Sequence, residues 1–351
     1  MHIFRGFKHP GIAGGCALEG SGKVTGTAVT IGNFDGVHRG HQAMLALLNN
    51  EARHRGIPSC VLTFEPHPRD FFAALARKPE LAPARIATLR DKLTELARCN
   101  VDQCVVLPFD ARLSSQVPEA FVDGVLVRGL GAKYVLVGDD FRFGAKRAGD
   151  YATLDAFGSA KGFDVARMNS YEVHGLRVSS SAVREALGRG EMDRVAALLG
   201  RHSSISGHVV HGRKLGRQLG RDAGHPMGMR TVNLRFSHWK PAASGIFAVL
   251  VHGLAAEPLE GVANLGIRPS VDPTDVNGGR VLLETHCLQW PASLGEEGGY
   301  GKIILVELLH KLHDELKYDG LDALTQGIRK DCEDARAYFA STRRQTTRDR
   351  I

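Results

Sequence analysis

Between Ala28 and about Gly190, apolar runs of strand length alternate with stretches of helical periodicity. The runs Ala28–Phe34, Ser59–Glu65, Gln103–Phe109, Lys133–Gly138 and Asp164–Tyr171 predict strands. Helices are predicted near Gln42–Arg55, Ile86–Arg98, Pro118–Leu130 and Tyr151–Lys161. Alternation of this kind implies right-handed crossovers and a mostly parallel sheet, so the first half reads as α/β. Ligands of such sheets bind beyond the carboxyl ends of the strands. After about Leu199 the texture changes. Ser203–His211, Thr231–Phe236, Ile246–His252, Val262–Ile267, Arg280–Leu288 and Lys302–Leu309 are short β-rich runs separated by turn residues. They predict an antiparallel barrel or sandwich. One amphipathic helix, Leu321–Phe339, closes the pattern, and the residues after Ala340 read as solvated and frayed. The stretch before Val24 is open: Arg5-Gly6 fits an extra strand or a flexible lead-in.

Composition adds bounds. The 351 residues suffice for two cores, and 43% apolar with 24% charged residues is ordinary for globular chains. A formal charge of +7 favours anionic ligands: nucleotides, nucleic acid or a membrane surface. No familiar nucleic-acid module accompanies the basic residues, so nucleic acid is not an expected partner. No apolar stretch reaches membrane-spanning length, and no membrane partner is expected. The six cysteines form no CxxC pair, which reads as free thiols in a reducing cytoplasm.

The run Gly32-Asn33-Phe34-Asp35-Gly36-Val37-His38-Arg39-Gly40-His41 carries the first candidate chemistry. It follows a predicted strand and opens a predicted helix. Gly36 and Gly40 remove Cβ atoms where backbone must pass close to a ligand. The helix N-terminus offers unpaired N–H groups and a positive dipole end to phosphate. His38 and His41, three apart, share one helical face. Two imidazoles there can donate hydrogen bonds to a phosphate and offset charge in its transition state. By the residues alone, two ordinary surface histidines beside a turn remain an alternative.

The same run resembles the bacterial bifunctional riboflavin kinase/FMN adenylyltransferase family, also called FAD synthetase. Four further segments match in order: Thr63-Phe64-Glu65-Pro66-His67-Pro68; Val137-Gly138-Asp139-Asp140-Phe141-Arg142-Phe143-Gly144; Arg177-Val178-Ser179-Ser180-Ser181-Ala182-Val183-Arg184; and Leu199-Gly200 leading into Ile205-Ser206-Gly207. The resemblance spans residues 28 to 340. It implies a Rossmann-like HxGH nucleotidyltransferase domain over residues 1–187, a linker over 188–203, an antiparallel β-barrel riboflavin kinase domain with a closing helix over 204–340, and a frayed basic tail over 341–351. It implies that His38 and His41 hold the ATP phosphates, with Gly32, Asn33, Phe34, Asp35, Gly36 and Gly40 in the nucleotide loop. The resemblance implies that Asp140 stands near the flavin phosphate and α-phosphate. Arg177, Ser179, Ser180 and Arg184 match the segment that neutralises the triphosphate, although Ser179–Ser181 also suit a plain helix N-cap. Phe64, Pro66 and Pro68 help line the flavin site by resemblance, or form a rigid turn by their types alone.

The second half matches the kinase module through Gly207-His208-Val209-Val210-His211-Gly212, Gly261-Val262-Ala263-Asn264-Leu265-Gly266-Ile267-Arg268-Pro269-Ser270 and Leu283-Glu284-Thr285-His286. The resemblance implies that Thr231 and Asn233 hold Mg²⁺ and phosphate, that Glu284 is the base, that Gly212 and Gly216 border the kinase ATP, and that Arg268 contacts flavin. Taken alone, a glutamate in a strand more often sits on its wet face. The sequence departs from the family between Leu219 and Thr231, where residues are inserted and Met229-Arg230 replace Phe-Pro. His313 stands where the family commonly has arginine. The expected function is therefore ATP-dependent phosphorylation of riboflavin to FMN, then adenylylation of FMN to FAD with release of pyrophosphate. The alternative is FMN adenylyltransferase activity alone. Expected partners are the small molecules riboflavin, FMN and ATP, with Mg²⁺, in a monomer or weak homo-oligomer.

Overall fold

The computed structural model describes residues 1–7, 26–173, 175–211, 230–235, 240–266, 281–295 and 298–348. The chain forms two compact units: Met1–Pro83 with Lys92–Ser180, and Ala84–Asp91 with Ser181–Ile351.

The first unit is built on strands β1 (His2–Arg5), β2 (Thr27–Ile31), β3 (Ser59–Glu65), β4 (Gln103–Pro108), β5 (Ala132–Gly138) and β6 (Asp164–Met168). They form one sheet in the order β1-β4-β3-β2-β5-β6, parallel throughout. The N-terminal residues thus resolve into an edge strand. Helices α1 (Arg39–Arg55), α2 (Pro68–Leu75), α3 (Leu89–Arg98), α4 (Ala111–Ser114), α5 (Pro118–Phe121) and α6 (Tyr151–Lys161) lie between the strands. Both faces of β2 are buried. Val29 and Ile31 pack with Leu62, Val105, Val135 and Leu126, while Ala28 packs with Leu48, Ala52 and Leu136. That double burial is why the parallel strands read as continuous apolar runs. Truncating such a leucine to alanine costs about 2–5 kcal/mol.

Helix α5 gives way to a π-helical turn, Val122–Val127, where one continuous helix to Leu130 is expected. The wider turn places Val122, Val125 and Leu126 in the core. Strand β6 ends at Met168, three residues before Tyr171, and two short antiparallel strands follow, β7 (Glu172–Val173) and β8 (Leu176–Arg177). From β2 the chain moves outward through β3 and β4 on one side, then resumes with β5 and β6 on the other. The crevice at this reversal lies at the carboxyl ends of β2 and β5, the usual ligand position in open α/β sheets.

In the second unit, residues 188–203 are no extended linker. They follow on helix α7 (Ser180–Arg189) and contain helix α8 (Met192–Leu199), whose Met192, Val195, Leu198 and Leu199 are buried. Strands β9 (Ser203–His208), β10 (Thr231–Arg235), β11 (Gly245–His252), β12 (Leu259–Gly266), β13 (Leu282–Cys287) and β14 (Ile303–His313) form an antiparallel sheet in the order β10-β13-β12-β11-β14-β9. Its two edges meet where Val210, just past β9, donates its N–H to the Asn233 carbonyl at 2.9 Å. A single bridge thereby curls the sheet toward a barrel and leaves less open edge. The C-terminal helix packs Cys332, Ala335 and Phe339 on Ile246, Ala248 and Val262. It runs on to Arg348 instead of fraying after Ala340, and Arg343 pairs with Glu260 of β12. Arg343, Arg344, Gln345 and Arg348 have good helix propensity and extend it without a further apolar stripe.

His313 joins the end of β14 to this helix: its Nε2 lies 2.8 Å from Asp331 and its Nδ1 2.7 Å from the Asp314 carbonyl. Burial opposes the charged imidazole, but these bonds outweigh it and raise the His313 pKa. Burial also raises the Asp331 carboxyl, against the pull of His313. A group whose folded pKa is raised stabilises below its unfolded value and loses that contribution as pH rises through the folded one. Stability of the second unit should therefore fall as pH climbs above the ordinary histidine value of about 6.5. Both tryptophans, Trp239 and Trp290, follow Ser181 in sequence, so urea unfolding followed by tryptophan fluorescence reads this unit. His313→Gln should flatten the alkaline limb; an unchanged limb removes His313 as its origin.

Candidate functional site

Strand β2 ends at Ile31 in the middle of the sheet, and Gly32 continues its line by donating to the Leu62 carbonyl at 3.0 Å. The chain then turns through Phe34, Gly36 and Val37, with φ of 49°, 84° and 40°. Phe34 and Val37 are buried, and a Cβ on Gly32 would lie 3.0 Å from the Phe34 ring. Gly32 therefore makes room for that ring. The Asn33 carbonyl accepts from the Thr63 hydroxyl at 3.3 Å and from the Lys92 ammonium at 3.3 Å, while Lys92 also donates to Thr63 Oγ1 at 3.1 Å.

His38 caps α1. Its backbone is extended and its Nδ1 accepts from the His41 N–H at 3.3 Å. The two imidazoles stack with centroids 3.6 Å apart and an interplanar angle of 14°. Phe34 lies 4.9 Å from the His41 ring on a tilted plane. Gly40 permits this stack: a Cβ there would sit 3.3 Å from two atoms of the His38 ring and 3.5 Å from the Val178 carbonyl. The Ser180 hydroxyl donates to the Asp35 carbonyl at 3.2 Å, which ties the serine segment to the same turn. The structure thus gathers Gly32, Asn33, Phe34, Asp35, Gly36, His38, Gly40, His41 and Ser180 around one helix N-terminus; half-buried Ser179 adjoins Ser180 in sequence.

Asp140 is exposed just beyond β5, at the other side of the strand-order reversal. Arg177 is paired with Asp139 at 3.4 Å. The Ser170 hydroxyl, 2.5 Å from Asp139, and then Arg177 hold that carboxyl below the usual carboxylate range. Arg184 belongs to the second unit, where its Nε donates to the Ala84 carbonyl at 2.7 Å.

After β3, Pro66 follows a cis peptide bond with Glu65, and Pro68 opens α2 with His67 as its N-cap. Phe64, Phe71 and Phe72 all meet Phe109, with centroids 5.7, 5.5 and 5.8 Å from it at steep angles. Phe72 is 49% exposed, so this cluster presents an aromatic surface rather than a sealed core. Phe109, Asp139 and Lys92 are absent from the residues singled out by sequence. Phe109 reads as the end of a strand, and Lys92 as one more charge on an amphipathic helix.

In the second unit, Asn233 of β10 stands opposite Glu284 of β13, and the Thr231 hydroxyl donates to Glu284 Oε1 at 3.1 Å. Arg230, which replaces the expected proline, is buried; it donates to the Gly295 carbonyl at 2.6 Å and lies 5.6 Å over the Trp290 ring. The start of β10 is thus anchored by a guanidinium. His286 Nδ1 sits 2.8 Å from the Arg230 carbonyl, an acceptor, so Nδ1 carries the proton. Gly212, Gly216, Arg268 and the altered residues 220–229 lie outside the described residues. Among the described residues no helix is long and apolar enough to cross a membrane, and no three His, Cys, Asp or Glu side chains group as a metal site.

Residues 21–182 match the family model for FAD synthetase and residues 199–339 that for riboflavin kinase. The chain is 41% identical to the bifunctional riboflavin kinase/FMN adenylyltransferase of Escherichia coli K12, over 91% of this chain and 94% of that one. It is 38% identical to the protein of that description from Haemophilus influenzae, over 91% and 96%, and 41% identical to that from Pseudomonas fluorescens, over 90% and 94%. A solved structure titled a macrolide-efflux protein from Streptococcus pneumoniae shares the fold, with a TM-score of 0.69 at 23% identity over 96% of this chain and 99% of that one.

The packing around Gly40 separates stability from binding. Gly40→Ala adds helix propensity, worth up to about 1 kcal/mol, but crowds the His38 ring. Thermal stability should hold or rise while affinity for inorganic triphosphate, measured by isothermal titration calorimetry, falls about tenfold through misplaced donors. Undiminished affinity would show that the stacked pair does not bind phosphate.

Proposed function

We propose the following division of labour for this chain, which belongs to the bifunctional riboflavin kinase/FMN adenylyltransferase family: the second unit phosphorylates riboflavin to FMN, and the first adenylylates FMN to FAD. ATP is co-substrate in both steps. The observation that carries the adenylyl step is the stacked His38–His41 pair on the N-terminus of α1, with Asp35 and Ser180 at the same turn.

In the first unit, a phosphate oxygen of FMN attacks the α-phosphorus of ATP. The new P–O bond forms as the bond to the β-phosphate oxygen breaks, and pyrophosphate leaves. Imidazole N–H groups of His38 and His41 and the amides at the start of α1 donate to the phosphate oxygens where charge builds up. Ser179 and Arg177 extend this donor set, Ser180 holds the turn through its bond to the Asp35 carbonyl, and Asp140 stands near the acceptor phosphate. The phenylalanines around Phe109, with Phe64, Pro66 and Pro68, offer the flavin ring aromatic faces.

In the second unit the terminal hydroxyl of the ribityl chain attacks the γ-phosphorus of ATP. Glu284 accepts the hydroxyl proton, and ADP leaves. Thr231 directs its own hydroxyl to Glu284 and so holds the carboxylate in place. Thr231, Asn233 and Glu284 present oxygen donors, which suit Mg²⁺ arriving with ATP and keeping part of its water shell. When bound, Mg²⁺ supplies neutralisation of phosphate charge. On this reading the partners are small molecules, the chain acts in the cytoplasm as a monomer or weak homo-oligomer, and its net positive charge serves nucleotide phosphates.

Riboflavin with ATP and Mg²⁺ should yield FMN and then FAD, resolved by chromatography. Glu284→Ala should abolish FMN formation and leave FAD formation from added FMN intact; His38→Ala should do the reverse. FAD formed only from added FMN by the unaltered chain would reduce the reading to an adenylyltransferase. Separately, Phe109→Ala should raise KM for FMN about tenfold, by loss of aromatic contact, while KM for riboflavin stays fixed. Equal changes in both would refute the aromatic surface as an FMN site.

A further inference from the structure

Residues directly opposite one another in adjacent antiparallel strands place their side chains on one face. Asn233 faces Glu284, Glu284 faces Asn264, and Asn264 faces Ile246. The neighbouring row runs Thr231, His286, Val262, Ala248. Across this face the chemistry changes in order. Hydroxyl and amide come first, then the carboxylate, then a second amide, and last the apolar residues Ile246, Ala248 and Val262 that pack against the C-terminal helix.

Asn264 stands out in that order. Its Oδ1 is buried and has no hydrogen-bond partner among the described residues. Glu284, directly opposite, is an acceptor when ionised and cannot supply a proton to it. The Thr231 hydroxyl is already given to Glu284. On the other flank, Ile246 has no polar group. A buried acceptor flanked in this way is satisfied by a donor brought in from outside the chain.

We infer that Asn264 is a substrate-binding, specificity-determining residue of the kinase reaction, accepting a hydrogen bond from the ribityl hydroxyl next to the one that is phosphorylated. The inference rests on the kinase reading above. Adjacent strands are about 4.8 Å apart, so a polyol whose terminal hydroxyl meets Glu284 brings its neighbouring hydroxyl within reach of Asn264. The ligand class follows from the donor requirement: Asn264 Oδ1 recognises an alcohol O–H, and a chain of hydroxyls supplies one beside the reacting oxygen.

The test crosses a variant with a substrate analogue. Asn264→Ala should lower kcat/KM for riboflavin phosphorylation about tenfold, the size of one hydrogen bond to a substrate hydroxyl, mainly through KM. Adenylylation of added FMN on the same chain should be unchanged. The unaltered chain should lose about tenfold on a riboflavin analogue lacking the hydroxyl adjacent to the terminal one, and Asn264→Ala should lose nothing further on that analogue. Wild-type efficiency in the variant, or an undiminished penalty for the analogue in the variant, overturns the inference. If the alanine variant also loses adenylylation, the shape-matched Asn264→Leu is read by the same two comparisons. Failure of the unaltered chain to make any FMN from riboflavin would instead sink the kinase reading itself.

Discussion

Phe34 and Val37 both carry side chains yet hold φ values in the left-handed region, at 49° and 40°. Each such residue costs on the order of 1–3 kcal/mol, and everything the first unit offers to phosphate depends on that cost being met. Burial of the Phe34 ring contributes about 1.5–3 kcal/mol. Val37 is equally sealed. Polar bonds hold the backbone between them: Lys92 and Thr63 on the Asn33 carbonyl, Ser180 on the Asp35 carbonyl, Gln42 on the Val37 carbonyl at 2.9 Å. With the turn fixed, His38 falls at the N-cap with its ring over His41. The histidines are therefore placed by the turn, and the turn by packing from below.

Much of this was legible before any coordinates, for identifiable reasons. Ser59–Glu65 and Tyr151–Lys161 begin and end where expected because apolar runs stop sharply against turn or capping residues. The spacing of His38 and His41 implied a shared face, and the rings stack. Other features had no local signal. A buried lysine such as Lys92 has the sequence appearance of a solvated charge, and only the meeting of α3 with the ends of β2 and β3 reveals its partners. Arg184 matched a phosphate segment by type, yet its Nε is given to Ala84, one hundred residues away in sequence. The C-terminal helix runs past its apolar stripe, and the contacts of its added turns, such as the Arg343–Glu260 pair, have no periodic signature in the sequence.

In the second unit, the strand that follows the departure in sequence is anchored by contacts of its own. A proline before Thr231 fixes the strand start by restricting φ. Arg230 reaches the same end by other means, with a hydrogen bond to Gly295 and a ring contact with Trp290. Its carbonyl then orients His286 across the strand. Thr231 and Asn233 keep their places opposite His286 and Glu284. The register of β10 against β13, rather than the identity of the preceding residue, sets the relation between hydroxyl, amide and carboxylate.

The two units differ most plainly in what they offer to hydrogen-bond. Around the turn after β2 the groups on offer are mainly donors, the amides at the start of α1 and two imidazoles, while the Ser180 hydroxyl and the Lys92 ammonium hold the loop itself. Donors of that number suit a polyanion, whose oxygens only accept. Across β10, β13 and β12 the polar groups are mainly acceptors: Glu284, the amide oxygen of Asn264, and hydroxyl and amide oxygens of Thr231 and Asn233. Acceptors suit a cation and an alcohol, both of which need electron pairs. A reaction that deprotonates a hydroxyl belongs on the second surface, and one that joins two phosphates belongs on the first. The two inventories thus accord with the family models, which match FAD synthetase over the α/β unit and riboflavin kinase over the β-rich unit.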